Sequence, residues 1–219
     1  MTLPTFFAGK SGQQIINYSY ADLAGGAIVT VYKGFVSNNN GTKEYNLGTS
    51  SIASEDIVVS GAGTAGSEMQ VHAHDFDLLF NSSQRIEGTA KLTLSMGATK
   101  SHVDGTNTLY ISGATLSHVR GSITEILDTV SGAQLSEGQA VLYAKTLNMP
   151  FNITNGKNFK AGDILRLNIP LWSLSTGGAG NESAGYGADP KARADPDNKT
   201  VSGALTTTME LHVPYRPKF

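Results

Sequence analysis

Short runs of β-branched and aliphatic residues recur along the 219-residue chain, each bounded by Gly, Asn or Ser. Thr89–Ser95 alternates strictly, with Ala90, Leu92 and Leu94 on one face and Lys91, Thr93 and Ser95 on the other. That is the period-2 pattern of a half-buried strand. Ala27–Lys33, Asp56–Ser60, Thr108–Ser112, Ala140–Ala144 and Ile164–Ile169 read as further strands. In the last run, Thr206–Val213, the residues Thr207, Met209, Leu211 and Val213 share a face. Ser122–Val130 is ambiguous. Ser122 and Glu125 fit a helix capping box, and Ile123, Ile126, Leu127 and Val130 fit a helical stripe. The same residues continue a β-like run that begins at Leu116, so the segment reads as a strand or a single helical turn. No stretch supports a long amphipathic helix.

Many short strands without intervening helices predict an all-β fold, an antiparallel jelly-roll-like β-sandwich. A length of 219 residues suits one such domain, and no internal repeat points to a propeller or solenoid. The expected organisation is an N-terminal arm over residues 1–14 and a single sandwich domain over 15–219. Within that domain, residues 175–198 read as a long Gly-rich loop, with seven Gly or Pro residues and almost no aliphatic side chain. Residues 214–219 read as a C-terminal tail. A loop of this length in a compact domain is usually functional or disordered, and Tyr186 with two prolines sets it apart from a plain flexible linker.

Charged residues are 16% of the chain, against the roughly 25% usual for soluble domains. A surface so poor in charge is weakly protected against association, which fits an extracellular-type β-protein or a protein partly covered by neighbours. Net charge is −2, and no run of Lys or Arg is present to follow a phosphate backbone, so nucleic acid is not an expected partner. Cysteine is absent, which removes disulfides, thiolate metal sites and thiol catalysis. Residues 1–10 lack the pattern of a signal peptide, and no segment has the length of apolar sequence that spans a membrane. Sequons at Asn17, Asn40, Asn81, Asn152, Asn181 and Asn198 follow from the abundance of Asn, Ser and Thr.

Candidate chemistry is thin. His72 and His74 would share a strand face with Phe76, leaving Asp75 and Asp77 on the other; two His at i and i+2 need a third ligand, from His102, His118 or His212, to hold a metal. No metal or other cofactor is expected on this pattern. The Asp-Pro pairs at Asp189 and Asp195 lack the Gly and closing Glu of a Ca²⁺ loop and read as turns. There is no G-x-S-x-G elbow, P-loop or dinucleotide fingerprint, so no enzyme is expected. Trp172, between Leu171 and Leu174, reads as core, with sugar stacking as the alternative.

Three stretches taken in order carry a resemblance. They are Ile15–Tyr32, which leads from an aromatic segment through Gly25-Gly26 into a first strand, the turn-plus-strand unit Phe159–Trp172, and Ala188-Asp189-Pro190 with the closing strand Thr206–Pro214. In the second unit Gly162 and Asp163 make the turn, and Arg166 points outward between buried Leu165 and Leu167. Together these stretches resemble jelly-roll virion proteins of tailed bacteriophages, of the kind that decorate or cement capsids. The resemblance implies a location in the virion and a structural role, with homotrimers bound to the major capsid protein lattice. The alternative is a receptor- or glycan-binding module of a tail or head fibre, using Trp172, Tyr186 or Tyr215. Candidate partner-binding residues are Leu3, Phe6 and Phe7 of the arm, Tyr186 of the loop, and Tyr215, Arg216 and Phe219 of the tail. Prolines in that tail would preorganise it for docking.

Overall fold

The computed structural model describes residues 28–63, 67–100, 106–132, 135–138, 143–176, 182–193 and 207–216. Among these residues there are thirteen strands and no helix. They are β1 (Ile28–Asn39), β2 (Thr42–Gly48), β3 (Val58–Gly63), β4 (Glu68–Leu79), β5 (Gln84–Lys100), β6 (Thr106–Ile111) and β7 (Ala114–Arg120). After them come β8 (Ile123–Val130), β9 (Leu135–Gly138), β10 (Tyr143–Phe159), β11 (Ile164–Thr176), β12 (Glu182–Gly187) and β13 (Glu210–Tyr215).

Two long strands organise the molecule. β5 pairs along its length with β10, from Tyr143↔Ala98 to Phe159↔Gln84. Its opposite edge is divided between β13, which joins it to β1 and β2, and β12, which joins it to β3. β11 takes the same part in the second layer. β4 runs along one edge of it, and β7 and β6 share the other, leading on to β8 and β9. Among the described residues, a single parallel pair, Asn46↔Asp77 between β2 and β4, connects the two layers, and every other pairing is antiparallel. At the opposite corner, the β10 amide of Asn152 donates to Asp128 of β8.

The inward positions of both layers form one buried cluster. Leu92, Leu94, Met96, Met149 and Phe151 come from the first layer, and Phe76, Leu116, Leu165, Leu167 and Ile169 from the second. This is the alternation read from Thr89–Ser95: Ala90, Leu92 and Leu94 are fully buried and Lys91 and Thr93 stay partly exposed, but Ser95, read on the polar face, is buried. Burial of this apolar surface at about 25 cal/mol per Å² is the main favourable contribution to folding. The β1–β2 hairpin turns at Asn40-Gly41, both with positive φ (51° and 86°), the Asn-Gly pair that such two-residue turns select.

Two expectations change and one ambiguity is resolved. Residues 182–187, expected inside a long loop, are strand β12, lying between β3 and β5. Its small residues meet small residues on β5: Ala184 faces Ala98 and Gly185 faces Gly97. Residues 177–181 and 194–198 of the expected loop lie outside the described residues. Pro214 and Tyr215 belong to β13, so the strand extends into the expected tail. Ser122–Val130 resolves as strand: β8 pairs with β7, with a bulge between the Leu116 and Ser117 pairings.

Candidate functional site

Two carboxylates are buried and saturated with donors. Asp163, in the turn from β10 to β11, accepts from Arg120 Nε and Nη2 at 2.9 and 2.7 Å and from the Lys160 amide at 2.8 Å. Its Oδ2 also lies 2.7 Å from His118 Nε2. The hydrogen bonds from Arg120, together with those from Lys160 and His118, outweigh burial and hold this carboxyl far below the usual carboxylate range. Asp189 lies just after β12. It receives the Arg193 amide (2.7 Å), Arg193 Nε (3.0 Å) and Nη2 (3.2 Å), and the Lys191 amide (3.3 Å). Burial alone would raise the pKa of Asp189, but the Arg193 and amide hydrogen bonds bring it below the ordinary value. Arg193 also reaches the Ser54 carbonyl, and Thr207 Oγ1 donates to the Arg193 carbonyl. The residues expected to form a simple Asp-Pro turn are therefore a clamp that ties 188–193 to residue 54 and to the approach to β13.

The histidine pair lies as the strand alternation requires. His72 and His74 rings are 5.2 Å apart, and His74 stacks on Tyr45 at 4.1 Å. Burial, followed by the charge of His72, lowers the pKa of His74. On the other face of β4, Arg166 grips Asp77 with two bonds of 2.7 Å and approaches Asp75 at 3.2 Å, while Asn168 donates to Asp75. His118 is engaged with Asp163 and His212 lies 3.5 Å from Glu210; His102 lies outside the described residues. No group of three or more metal-ligating side chains occurs among the described residues.

The expected partner-binding residues separate into three sets. Leu3, Phe6, Phe7 and Phe219 lie outside the described residues. Tyr186 is fully buried against Phe76, so its ring is part of the core and unavailable to a partner, which corrects the reading of it as a loop contact. Tyr215 is 8% exposed, its hydroxyl 2.8 Å from that of Tyr32, and its ring is also largely core. Burial, then the hydrogen bond with Tyr32, pushes its pKa upward. The Arg216 amide donates to the Arg85 carbonyl, and its guanidinium lies 3.5 Å from Glu87. Trp172 is half-buried in a parallel stack with Tyr110, centroids 6.4 Å apart. The Tyr110 hydroxyl donates to Glu68.

The feature that sequence reasoning missed is apolar and exposed. Ile28 (60%), Leu79 (58%), Ile123 (69%) and Ile126 (60%) project large aliphatic side chains into solvent. Register places three of these side chains in separate surroundings. Leu79 faces Ile164, which faces Val119; Ile126 stands opposite Ser117, in the row of Arg166 and Asp77; and Ile123 stands opposite Arg120 on the other sheet face. Ile28 and Leu79 also border a groove of about 300 Å³ floored by Tyr32, Phe80 and Tyr215. Whether a strand residue faces core or solvent is set by the layer above it, and one sequence carries no such signal at these positions. No helix among the described residues is long and apolar enough to cross a membrane.

No family model and no curated protein matches the chain. Among solved structures, it is similar to a CocE/NonD family hydrolase from Staphylococcus aureus, with a TM-score of 0.45 and 10% identity. That alignment covers 87% of this chain and 37% of the hydrolase, so the chain spans little more than a third of it. A structure of infectious bursal disease virus, Gx strain, aligns at TM-score 0.28 and 15% identity, over 86% of this chain and 36% of that one. Eiger TNF from S. frugiperda aligns at 0.23 and 14%, over 78% and 96%. Likenesses this low assign the chain no activity and no partner.

Proposed function

We propose that the chain is a non-enzymatic structural protein of a phage particle, which decorates or cements the capsid by binding the major capsid protein lattice as a homotrimer. The observation that carries this reading is the set of exposed aliphatic side chains at Ile28, Leu79, Ile123 and Ile126. Large aliphatic side chains left more than half exposed are points for association, and a chain with only 16% charged residues does little to keep neighbours apart. The buried ionisable groups support it as well. Asp163, His118 and Asp189 are committed to turns and clamps, where they fix the backbone and have no open side toward a substrate. The resemblance of Ile15–Tyr32, Phe159–Trp172 and the closing strand to capsid decoration proteins supplies the kind of assembly. Quantitative mass spectrometry of purified particles tests the reading. Copies commensurate with the capsid lattice are expected, a few copies per particle point to a tail or vertex, and absence removes the proposal.

One observation favours a second reading, a glycan-binding module of a tail or head fibre. The Trp172–Tyr110 stack gives an aromatic platform with Glu68 beside it, a chemistry suited to sugars. Binding on a glycan array that is lost in a folded Trp172→Ala protein would decide for it.

A further inference from the structure

The dipeptide Asn-Gly occurs twice in the chain, at Asn40-Gly41 and at Asn155-Gly156. In this pair the asparagine side chain is readily attacked by the backbone, because glycine has no side chain to shield its amide nitrogen. Both asparagines are exposed, so access to solvent does not separate them. Their backbones do. Asn40 sits in the left-handed region at φ 51° and Gly41 follows at 86°, in the two-residue turn between β1 and β2. There ψ is about +47°, which points the Gly41 nitrogen away from Asn40 Cβ, and bringing it onto the side chain takes about half a turn. That rotation breaks the bond from the Gly41 amide to Asn38 Oδ1 (2.8 Å) and pulls Asn39 away from Thr42. The turn has to open before Asn40 can react.

Asn155 is built differently. Its strand, β10, loses register with β5 at this point: Ile153 faces Gly88, Lys157 faces Ile86, and Thr154, Asn155 and Gly156 stand opposite Glu87 alone. Asn155 keeps an ordinary negative φ, and only Gly156 is left-handed, at 57°. From an extended ψ the Gly156 nitrogen reaches the side chain after little more than about a quarter of a turn, and no pairing with β5 is given up. The bulge also fixes the glycine. A side chain at 156 would adopt a left-handed conformation and would run into the Arg85 guanidinium and the Glu87 carboxylate. The amide beside Asn155 therefore stays unshielded.

We propose that Asn155 is a site of spontaneous deamidation in the folded protein, and that the β1–β2 turn protects Asn40 from the same reaction. The Gly156 nitrogen gives its proton to hydroxide and attacks Asn155 Cγ. The new N–C bond closes a five-membered succinimide, and the side-chain nitrogen leaves as ammonia after taking a proton from water. Water then opens either carbonyl of the ring. One opening leaves aspartate, and the other leaves isoaspartate, with the chain routed through the side chain. Nothing is oxidised or reduced, and the balance is one water consumed for one ammonia released. Either product puts a carboxylate close to Lys157, whose ammonium binds Glu125 of β8. The change thus falls at the corner where β8 meets β10, beside the bond from the Asn152 amide to Asp128.

Both sites are followed at once in the unmutated full chain. The protein is held at mildly alkaline pH in oxygen-labelled water, then digested and mapped by mass spectrometry, which reads the label taken up at each asparagine. A parallel sample is held in urea, with unfolding confirmed by the loss of near-ultraviolet circular dichroism. In the folded sample, residue 155 is expected to convert at least tenfold faster than residue 40. In urea, where neither backbone is constrained, the two rates should agree within about twofold. The proposal is overturned if the ratio of the two rates is no greater in the folded protein than in urea. It is equally overturned if Asn155 converts in urea but not in the folded chain, since the bulge would then protect it as the turn protects Asn40.

Discussion

The hydroxyls of Tyr32 and Tyr215 lie 2.8 Å apart, tying β1 to β13 across 183 positions of sequence. The rings meet edge-on at 6.5 Å beside the groove. Tyr32→Phe and Tyr215→Phe are each expected to cost about 1 kcal/mol in urea unfolding, the usual contribution of one such bond. The double variant should cost little more than either single change, since both remove the same bond. In a spectrophotometric titration, Tyr215 should ionise well after the exposed tyrosines.

Asp163 ties the turn from β10 to β11 to strand β7 through one carboxylate. Removing it leaves His118 buried without its partner and frees the 160–163 turn, so Asp163→Ala is expected to cost about 3 kcal/mol. The pH dependence has a definite sign. The folded-state pKa of Asp163 is depressed, so its stabilisation is fully present above the unfolded value of about 4 and fades as pH falls below it. The gap in melting temperature between the parent protein and Asp163→Ala should therefore narrow from pH 5 toward pH 2. A gap that stays constant would show that the carboxylate is not held in this way.

Gly187 has no room for a side chain. A methyl group there would lie 2.2 Å from the Thr207 carbonyl oxygen, a backbone atom that cannot swing aside. Gly187→Ala is expected to cost about 3 kcal/mol or more, because the clamp residues that follow, Asp189 and Arg193, are carried away with it. Arg193→Ala should be milder, at about 2 kcal/mol, since the amides of residues 191 and 193 still reach Asp189. Both are measured by chemical denaturation.

Tyr186 offers a contrast between its ring and its hydroxyl. The ring is fully buried, and the hydroxyl has no hydrogen-bond partner among the described residues. Tyr186→Phe is therefore expected to be neutral or slightly stabilising, while Tyr186→Ala loses about 4 kcal/mol through the cavity it leaves. Assembly should be unchanged in Tyr186→Phe.

The fold was legible where one period held over several residues. Thr89–Ser95 kept a single phase, and β5 follows it. β8 was ambiguous for a physical reason: its bulge shifts the pairing by one residue between Glu125–Ile126 and Asp128, which turns a period of two into the 3–4 spacing of a helix. β12 was hidden because it is built largely of the Gly and Ala that otherwise mark loops, and Tyr186 was misread with it. The Gly162-Asp163 turn and the outward Arg166 were readable, since both depend on neighbours in sequence. The exposed rim at Ile28 and Leu79 was not readable, because it depends on which strands happen to lie above them.

β13 occupies the slot between β1 and β5, with Ile28 opposite Tyr215 and Leu211 opposite Leu92. During synthesis both flanking strands exist long before the one that fills the slot. Until residue 215 has left the ribosome, the edges of β1 and β5 stand unpaired, a template for any passing strand. Pairings so distant in sequence also close slowly. The nascent chain therefore has to be kept apart from its siblings until the last strand arrives, and copies whose translation stops short should aggregate rather than reach a particle.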